Sequence, residues 1–341
     1  MKINRNILIF SSLAFLTGIL VLVGLLYNKT EDEKQNGLTE LYDISREGII
    51  AYVINKDGEQ QIKFSKDGLE QEVVSINKEK VILDIAFSPD GSSLAYSVIN
   101  RDVESDLVTT INIIDVDKLE EDNLFQKSGM ITEIAFDPKD ETNLFYLKAD
   151  TFENYSPIAR ANPHNFDIYK YDMTGITHDQ LTDWKKYSID SLQVSASDES
   201  VYIQMFNDET AQTAEEIFDA NLRIFNVPLK EPDKLSIVSD PKKEIDIYDF
   251  TVLSGEEKII YQSVSNPHSG GTFQYELFEY DSTTNKEVQL TNLKEYTSRP
   301  IVHEEHIYFI VDKQFAQKYS DYYLYKMDLD GENIRKVELN D

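Results

Sequence analysis

The chain has 341 residues, 33 of them basic and 62 acidic, for a formal charge of −29. A polyanion of that strength is excluded as a nucleic-acid binder, because phosphate binding depends on Lys and Arg releasing counterions, and the absence of cysteine excludes disulfides, thiolate metal sites and cysteine nucleophiles together. At 41% hydrophobic and 11% aromatic residues the composition is far from the disordered class, and the length allows one large or two ordinary domains.

In chain order, residues 1–6 read as a cytoplasmic tail carrying Lys2 and Arg5. Ile7 to Tyr27 then run 21 residues without a charge, a helix of roughly 31 Å that matches the thickness of a bilayer core. Lys2 and Arg5 precede it and Glu31, Asp32 and Glu33 follow, so the positive-inside rule keeps the amino terminus in the cytoplasm and places the remainder outside. A cleaved signal would have a shorter apolar region ending in small residues. Here the end reads Leu25-Leu26-Tyr27-Asn28, which predicts an uncleaved, single-pass signal anchor in the cell membrane. Residues 28–37 are polar and read as a stalk, whose coil reaches only about 17 Å. The strongly acidic exterior opposes adhesion to anionic lipid, so membrane attachment rests on the helix.

A repeat organises residues 38–341. An apolar strand, a tight turn and a second strand ending in an aromatic appear at Leu83 to Tyr96 and again at Thr132 to Tyr146. Weaker copies lie at Leu41 to Ile54, Ser191 to Met205, Asp249 to Ser263 and Pro300 to Val311. After each comes a strand of alternating polarity that enters a turn: Ile62 to Gly68, Ile113 to Asp117, Ile168 to Gly175, Leu222 to Pro228, Leu277 to Asp281 and Leu324 to Gly331. A short strand closes each unit, as at Val73 to Ile76, Asp179 to Thr182, Val288 to Leu290 and Lys336 to Leu339. Six units of about 51 residues each fit propeller blades, predicting an all-β, six-bladed β-propeller behind an N-terminal transmembrane helix. Phe87, Tyr96, Phe136 and Tyr146 are expected to pack within and between blades.

Phe87-Ser-Pro-Asp-Gly91 followed by Leu94-Ala95-Tyr96 resembles the repeat of TolB-type propellers, which also occurs in the propeller domains of prolyl-oligopeptidase-like enzymes. Tyr171 to Gly175 and Met327 to Gly331, with Gln180-Leu181-Thr182 and Gln289-Leu290-Thr291, are similar to the second half of that repeat. The resemblance implies the fold over the whole region after the stalk and is nearly silent on function, since one fold hosts many functions. Neither the amino-terminal domain of TolB proteins nor the hydrolase domain of the oligopeptidase-like enzymes is recognisable.

No nucleophile elbow, phosphate-binding glycine loop or His-Glu-x-x-His helix occurs, so no catalytic residue, metal ligand or cofactor is assigned. His303 and His306 would become cross-strand neighbours if Glu304-Glu305 formed a hairpin turn. Asp-Gly and Asn-rich segments such as Asp328 to Asn333 hold fragments of a calcium loop but are what hairpins require anyway.

Length is concentrated between second and third strands, at Asn100 to Thr110, Lys148 to Asn165, Asn207 to Ala220, Val264 to Phe273 and Asp312 to Asp321. Long loops on a rigid scaffold commonly carry binding, and these hold Phe152, Tyr155, Arg160, His164, Phe218, His268, Phe273, Phe315 and Tyr319, residue types enriched in interface hot spots. The expectation is a membrane-anchored, extracytoplasmic, non-catalytic propeller that binds an envelope protein or peptide through these loops. A divalent-cation-dependent propeller enzyme of lactonase type is the alternative, and would need carboxylates from several blades converging inward.

Overall fold

The computed structural model describes residues 17–18, 34–103, 106–157, 160–253 and 255–339. Of the expected anchor Ile7–Tyr27 only Thr17 and Gly18 fall among them; the rest of the anchor and stalk residues 28–33 lie outside. Among the described residues no helix is long and apolar enough to cross a membrane.

The described chain is almost all strand. Antiparallel meanders are formed by β1–β4 (Gly37–Ile44, Ile50–Lys56, Glu59–Lys66, Leu69–Ile76), β5–β8 (Lys80–Phe87, Ser93–Asn100, Val108–Asp115, Glu121–Ser128), β9–β12 (Met130–Asp137, Asp140–Asn154, Ala161–Asp172, Thr177–Gln180) and β13–β16 (Ile189–Val194, Ser200–Phe206, Leu222–Pro228, Ser236–Ile237). The remaining strands, β17–β20 (Ile247–Val252, Lys258–Val264, Tyr275–Asp281, Lys286–Gln289) and β21–β24 (Tyr296–His303, His306–Asp312, Tyr322–Asp328, Arg335–Lys336), share one sheet. A single parallel pair, Tyr275 with Tyr296, joins the two halves of that sheet.

Polarity follows position. Second strands are covered on both faces by neighbouring meanders and read as near-continuous apolar runs, as in Leu94 to Ile99, interrupted at Ser97, and Ile307 to Val311, all buried. Closing strands are mostly exposed, β20 along its whole length, with Val74 in β4 and Phe125 in β8 the buried exceptions. The core is a series of apolar seams between consecutive meanders. Val53, Ile62 and Phe64 meet Ile82, Phe87 and Leu94, and Ile111 and Phe125 meet Ile134, Phe136 and Tyr146. The series returns on itself where Tyr308, Ile310 and Leu324 pack on Tyr42, Tyr52 and Ile54. Phe87, Tyr96, Phe136 and Tyr146 are all buried as expected.

Turns obey local rules. Asp57-Gly58 and Asp67-Gly68 place both residues at positive φ, the type I′ geometry that suits the twist of a hairpin. Turns between first and second strands gather on one face: Lys139 Nζ donates to the Asp198 carbonyl (2.8 Å), Glu256 accepts from the Ser195 hydroxyl (2.6 Å), and Gly48 lies beside the His303 ring. This is the turn face. Connections between second and third strands lie at the opposite ends of the strands and form the long-loop face.

Several expected boundaries are corrected. Lys148 to Asn165 is mostly ladder rather than loop, because β10 and β11 continue to pair through Thr151 with His164, Phe152 with Pro163 and Asn154 with Ala161. Asn207 to Ala220 holds a short helix, α1 (Ala214–Asp219), with the Thr213 hydroxyl capping the Glu216 amide (3.2 Å). The closing strands at Thr177 and Lys286 begin two residues earlier than expected, at the turn itself. Glu304-Glu305 is a hairpin turn that pairs His303 with His306.

Candidate functional site

Each innermost strand, β1, β5, β9, β13, β17 and β21, contains or faces a break in register: between Leu38 and Tyr42, Ile82 and Asp84, opposite Leu147 and Lys148, between Asp190 and Gln193, Tyr248 and Phe250, and Ser298 and Ile301. A bulge turns an extra residue out of the ladder and leaves its backbone groups to be satisfied elsewhere. Here a side chain on one inner strand reaches the backbone of the next, at the bulge itself for Ser191, Leu192 and Arg299. Asp43 accepts from the Phe87 amide (2.7 Å) and Asp84 from the Ile134 amide (2.9 Å). Glu133 accepts from both Ser191 (2.7 Å) and Leu192 (2.6 Å). Gln193 accepts from Val252 (2.8 Å) and Asp249 from Arg299 (3.1 Å). Closure is made by the Tyr42 hydroxyl, which donates to the Arg299 carbonyl at 2.6 Å.

These side chains surround a central cavity of about 480 Å³ whose wall includes Asp43, Asp84, Glu133, Asp249 and Arg299. Its mouth lies on the turn face, where Arg46, Pro89 and Pro138 stand at the rim. Arg299 sits at positive φ in its bulge and spans the channel to Asp84, with Nη2 at 3.1 Å from Oδ1. Its side chain keeps 31% exposure, to the cavity, whereas that of Asp84 keeps 7%.

The wall is short of positive charge. Burial pushes the Asp43 carboxyl up to about 7, and burial with the charges of Asp84 and Asp190 pushes Glu133 up to about 8. Glu40, Asp84 and Asp190 are raised too, burial again being the largest cause. Burial alone would lower Arg299, but Asp84, Asp249, Glu133 and Glu40 outweigh it and hold the guanidinium firmly protonated. The carboxylates that a lactonase-type site would need do converge, but around an arginine. Among the described residues no group of three or more His, Asp or Glu is placed to hold a metal ion.

The nine loop residues are divided by the structure. Tyr155, His164 and Phe218 come together with Tyr187, at ring separations of 5.2 Å (Tyr155–His164), 4.7 Å (Tyr155–Tyr187) and 4.7 Å (Tyr187–Phe218). Phe152 packs partly against the seam beneath. Phe315 stacks on Tyr296 at 4.6 Å, and Tyr319 lies under the Lys318 ammonium at 5.2 Å. Arg160 and His268 are exposed, as is Phe273 at 47%. The loops thus largely cover one another. Asp84, Glu133, Asp249 and Arg299 were missed by the sequence reading, although a repeated charged slot just ahead of each apolar run could have pointed to them.

No family model matches the chain, and no curated protein does. Solved structures do. TolB from Acinetobacter baumannii superposes with a TM-score of 0.55 at 14% identity, over 91% of this chain and 65% of that one. The Pyrococcus horikoshii acylaminoacyl peptidase gives 0.55 at 14%, over 90% and 47%, and a nidogen/laminin complex 0.55 at 12%, over 82% and 89%. The chain therefore has the β-propeller fold and is similar to TolB-type propellers, while spanning less than two thirds of the TolB chain and about half of the peptidase.

Proposed function

We propose that this protein is a six-bladed propeller held outside the membrane by Ile7–Tyr27 as an uncleaved signal anchor, and that it acts as a non-catalytic binding module for an envelope protein or peptide. The partner places a cationic group, a lysine or arginine side chain or an amino terminus, in the central cavity. One observation carries this reading: the cavity wall sets Asp43, Asp84, Glu133 and Asp249 against Arg46 and Arg299, and burial first, with neighbouring carboxylates adding to it, raises Asp43 to about 7 and Glu133 to about 8. A cationic group supplies positive charge in place of the protons that these raised carboxyls hold, and the strongly acidic surface favours the approach of a basic partner. Six consecutive strand meanders and the seam between β22–β23 and β1–β2 support the six-bladed ring.

The test is a titration of the full chain in detergent with a lysine-containing peptide and with the same peptide acetylated on lysine. Binding of the first, weakened about tenfold (about 1.4 kcal/mol) by acetylation and by Asp249→Asn in a protein of unchanged circular dichroism, is the expected result. Equal binding of both peptides, or indifference to Asp249→Asn, overturns it.

A further inference from the structure

The path of the chain into the fold bears on which face an anchor ahead of it would hold toward a membrane. The Asn36 side chain accepts from the Asp57 amide at 2.7 Å, which pins the start of the described chain to the β2–β3 turn. Gly37 pairs with Asn55 at the same end of the sheet. The chain therefore enters on the long-loop face, next to the channel, and β1 runs from there toward the turn face.

Nine residues, 28–36, separate Tyr27 from Gly37, and the ten steps between them, fully extended, span at most about 35 Å. To bring the turn face to the bilayer instead, the stalk would first run outward past four strands, roughly 19 Å at the usual strand spacing, and then back along the length of β1, roughly 26 Å. That path exceeds its reach. Passage through the channel is obstructed by the Arg299–Asp84 pair.

We propose that the propeller stands with its long-loop face toward the membrane, so that the polar cavity opens away from the bilayer and takes its partner from the far side. This rests on the signal-anchor reading above and deepens the binding reading by naming the side from which the partner comes: a soluble or wall-side protein, rather than a membrane neighbour, meets Arg46, Pro89 and Pro138. Phe273 and His268 are turned to the membrane side, which gives the expected recognition loops a place under the propeller instead of at its outer surface.

Because the chain lacks cysteine, single cysteines report position without a background. Gln317→Cys on the long-loop face and Glu305→Cys on the turn face lie at opposite ends of β22, and both positions are exposed. Each full-length variant is reconstituted in phosphatidylcholine vesicles and labelled from outside with an impermeant fluorophore. Nitroxide lipid headgroups should then quench the label at 317 severalfold more than the label at 305, and twenty added Gly-Ser residues in the stalk should abolish the difference. Equal quenching, or stronger quenching at 305, with protein that floats with the vesicles, overturns the orientation while leaving the anchor intact. Protein that does not float with the vesicles overturns the anchor itself, and the orientation with it.

Discussion

Arg299 is the residue on which the channel turns. Its backbone amide is held by Asp249, its carbonyl by Tyr42 and its guanidinium by Asp84, so this one residue, through backbone and side chain together, is tied to three other inner strands. Removing one partner from a buried ion pair leaves an uncompensated charge and costs about 3–5 kcal/mol, and Arg299→Met should lose stability on that order in chemical denaturation at pH 8. The deficit should shrink at pH 5, because carboxyls that can take up protons no longer need the cation. A deficit independent of pH would assign Arg299 a packing role only. In the sequence, Arg299 stands before Pro300 in the least regular copy of the repeat, and alternation alone cannot tell an inward from an outward side chain next to a bulge.

At the level of elements, the long connections behave as clasps between neighbouring meanders. The β10–β11 hairpin carries Tyr155 and His164 over the edge of its own sheet, and α1 brings Phe218 to meet them at Tyr187. Aromatic pairs are worth about 0.5–1.5 kcal/mol beyond their buried area. A double-mutant cycle of Tyr187→Ala and Phe218→Ala should give a coupling energy in that range from urea melts, and simple additivity would show that the rings merely adjoin. Tyr155→Ala and Phe218→Ala should accordingly lower stability as well as any affinity they affect. The strands were legible because Leu94-Ala95-Tyr96 and its copies are dense in apolar residues and end in turn residues. The clasp was not legible, since Tyr187 lies outside every loop singled out and its meeting with Phe218 depends on two elements more than thirty residues apart.

For the whole molecule, the inner carboxyls set the dependence of stability on pH. Asp43 rises from an ordinary 3.8 to about 7 and Glu133 from 4.5 to about 8, so between about pH 4 and pH 8 the folded protein holds protons that the unfolded chain has released. Stability must fall as pH rises through that window. On the acid side Asp281, lowered to about 2 by Thr283 and Thr284, contributes stability that is lost as pH falls from its ordinary 3.8 toward 2. Melting temperature followed by circular dichroism should therefore be higher at pH 5 than at pH 8, and a maximum at pH 8 would contradict the protonated inner ring. The ring of meanders was legible from the repeat, whereas its polar axis was not, because each carboxyl finds its partner one meander, some 44 to 59 residues, further along the chain.

The way the first strand joins the ring also decides how the protein bears mechanical load. All strands of the β1–β4 meander come from one stretch of chain, and all of β21–β24 from another, so the junction between them is closed by side chains such as Tyr42 and Tyr308 and, among the described residues, by no shared strand. A pull on the chain ahead of Gly37 acts along β1, across hydrogen bonds that run perpendicular to it. The ladder to β2 is then sheared as a set instead of being peeled bond by bond, and the weak point under tension becomes the junction beside Arg299. On the proposed reading of a tethered, partner-binding propeller, drag on a bound partner would open the ring there before it unravelled a blade.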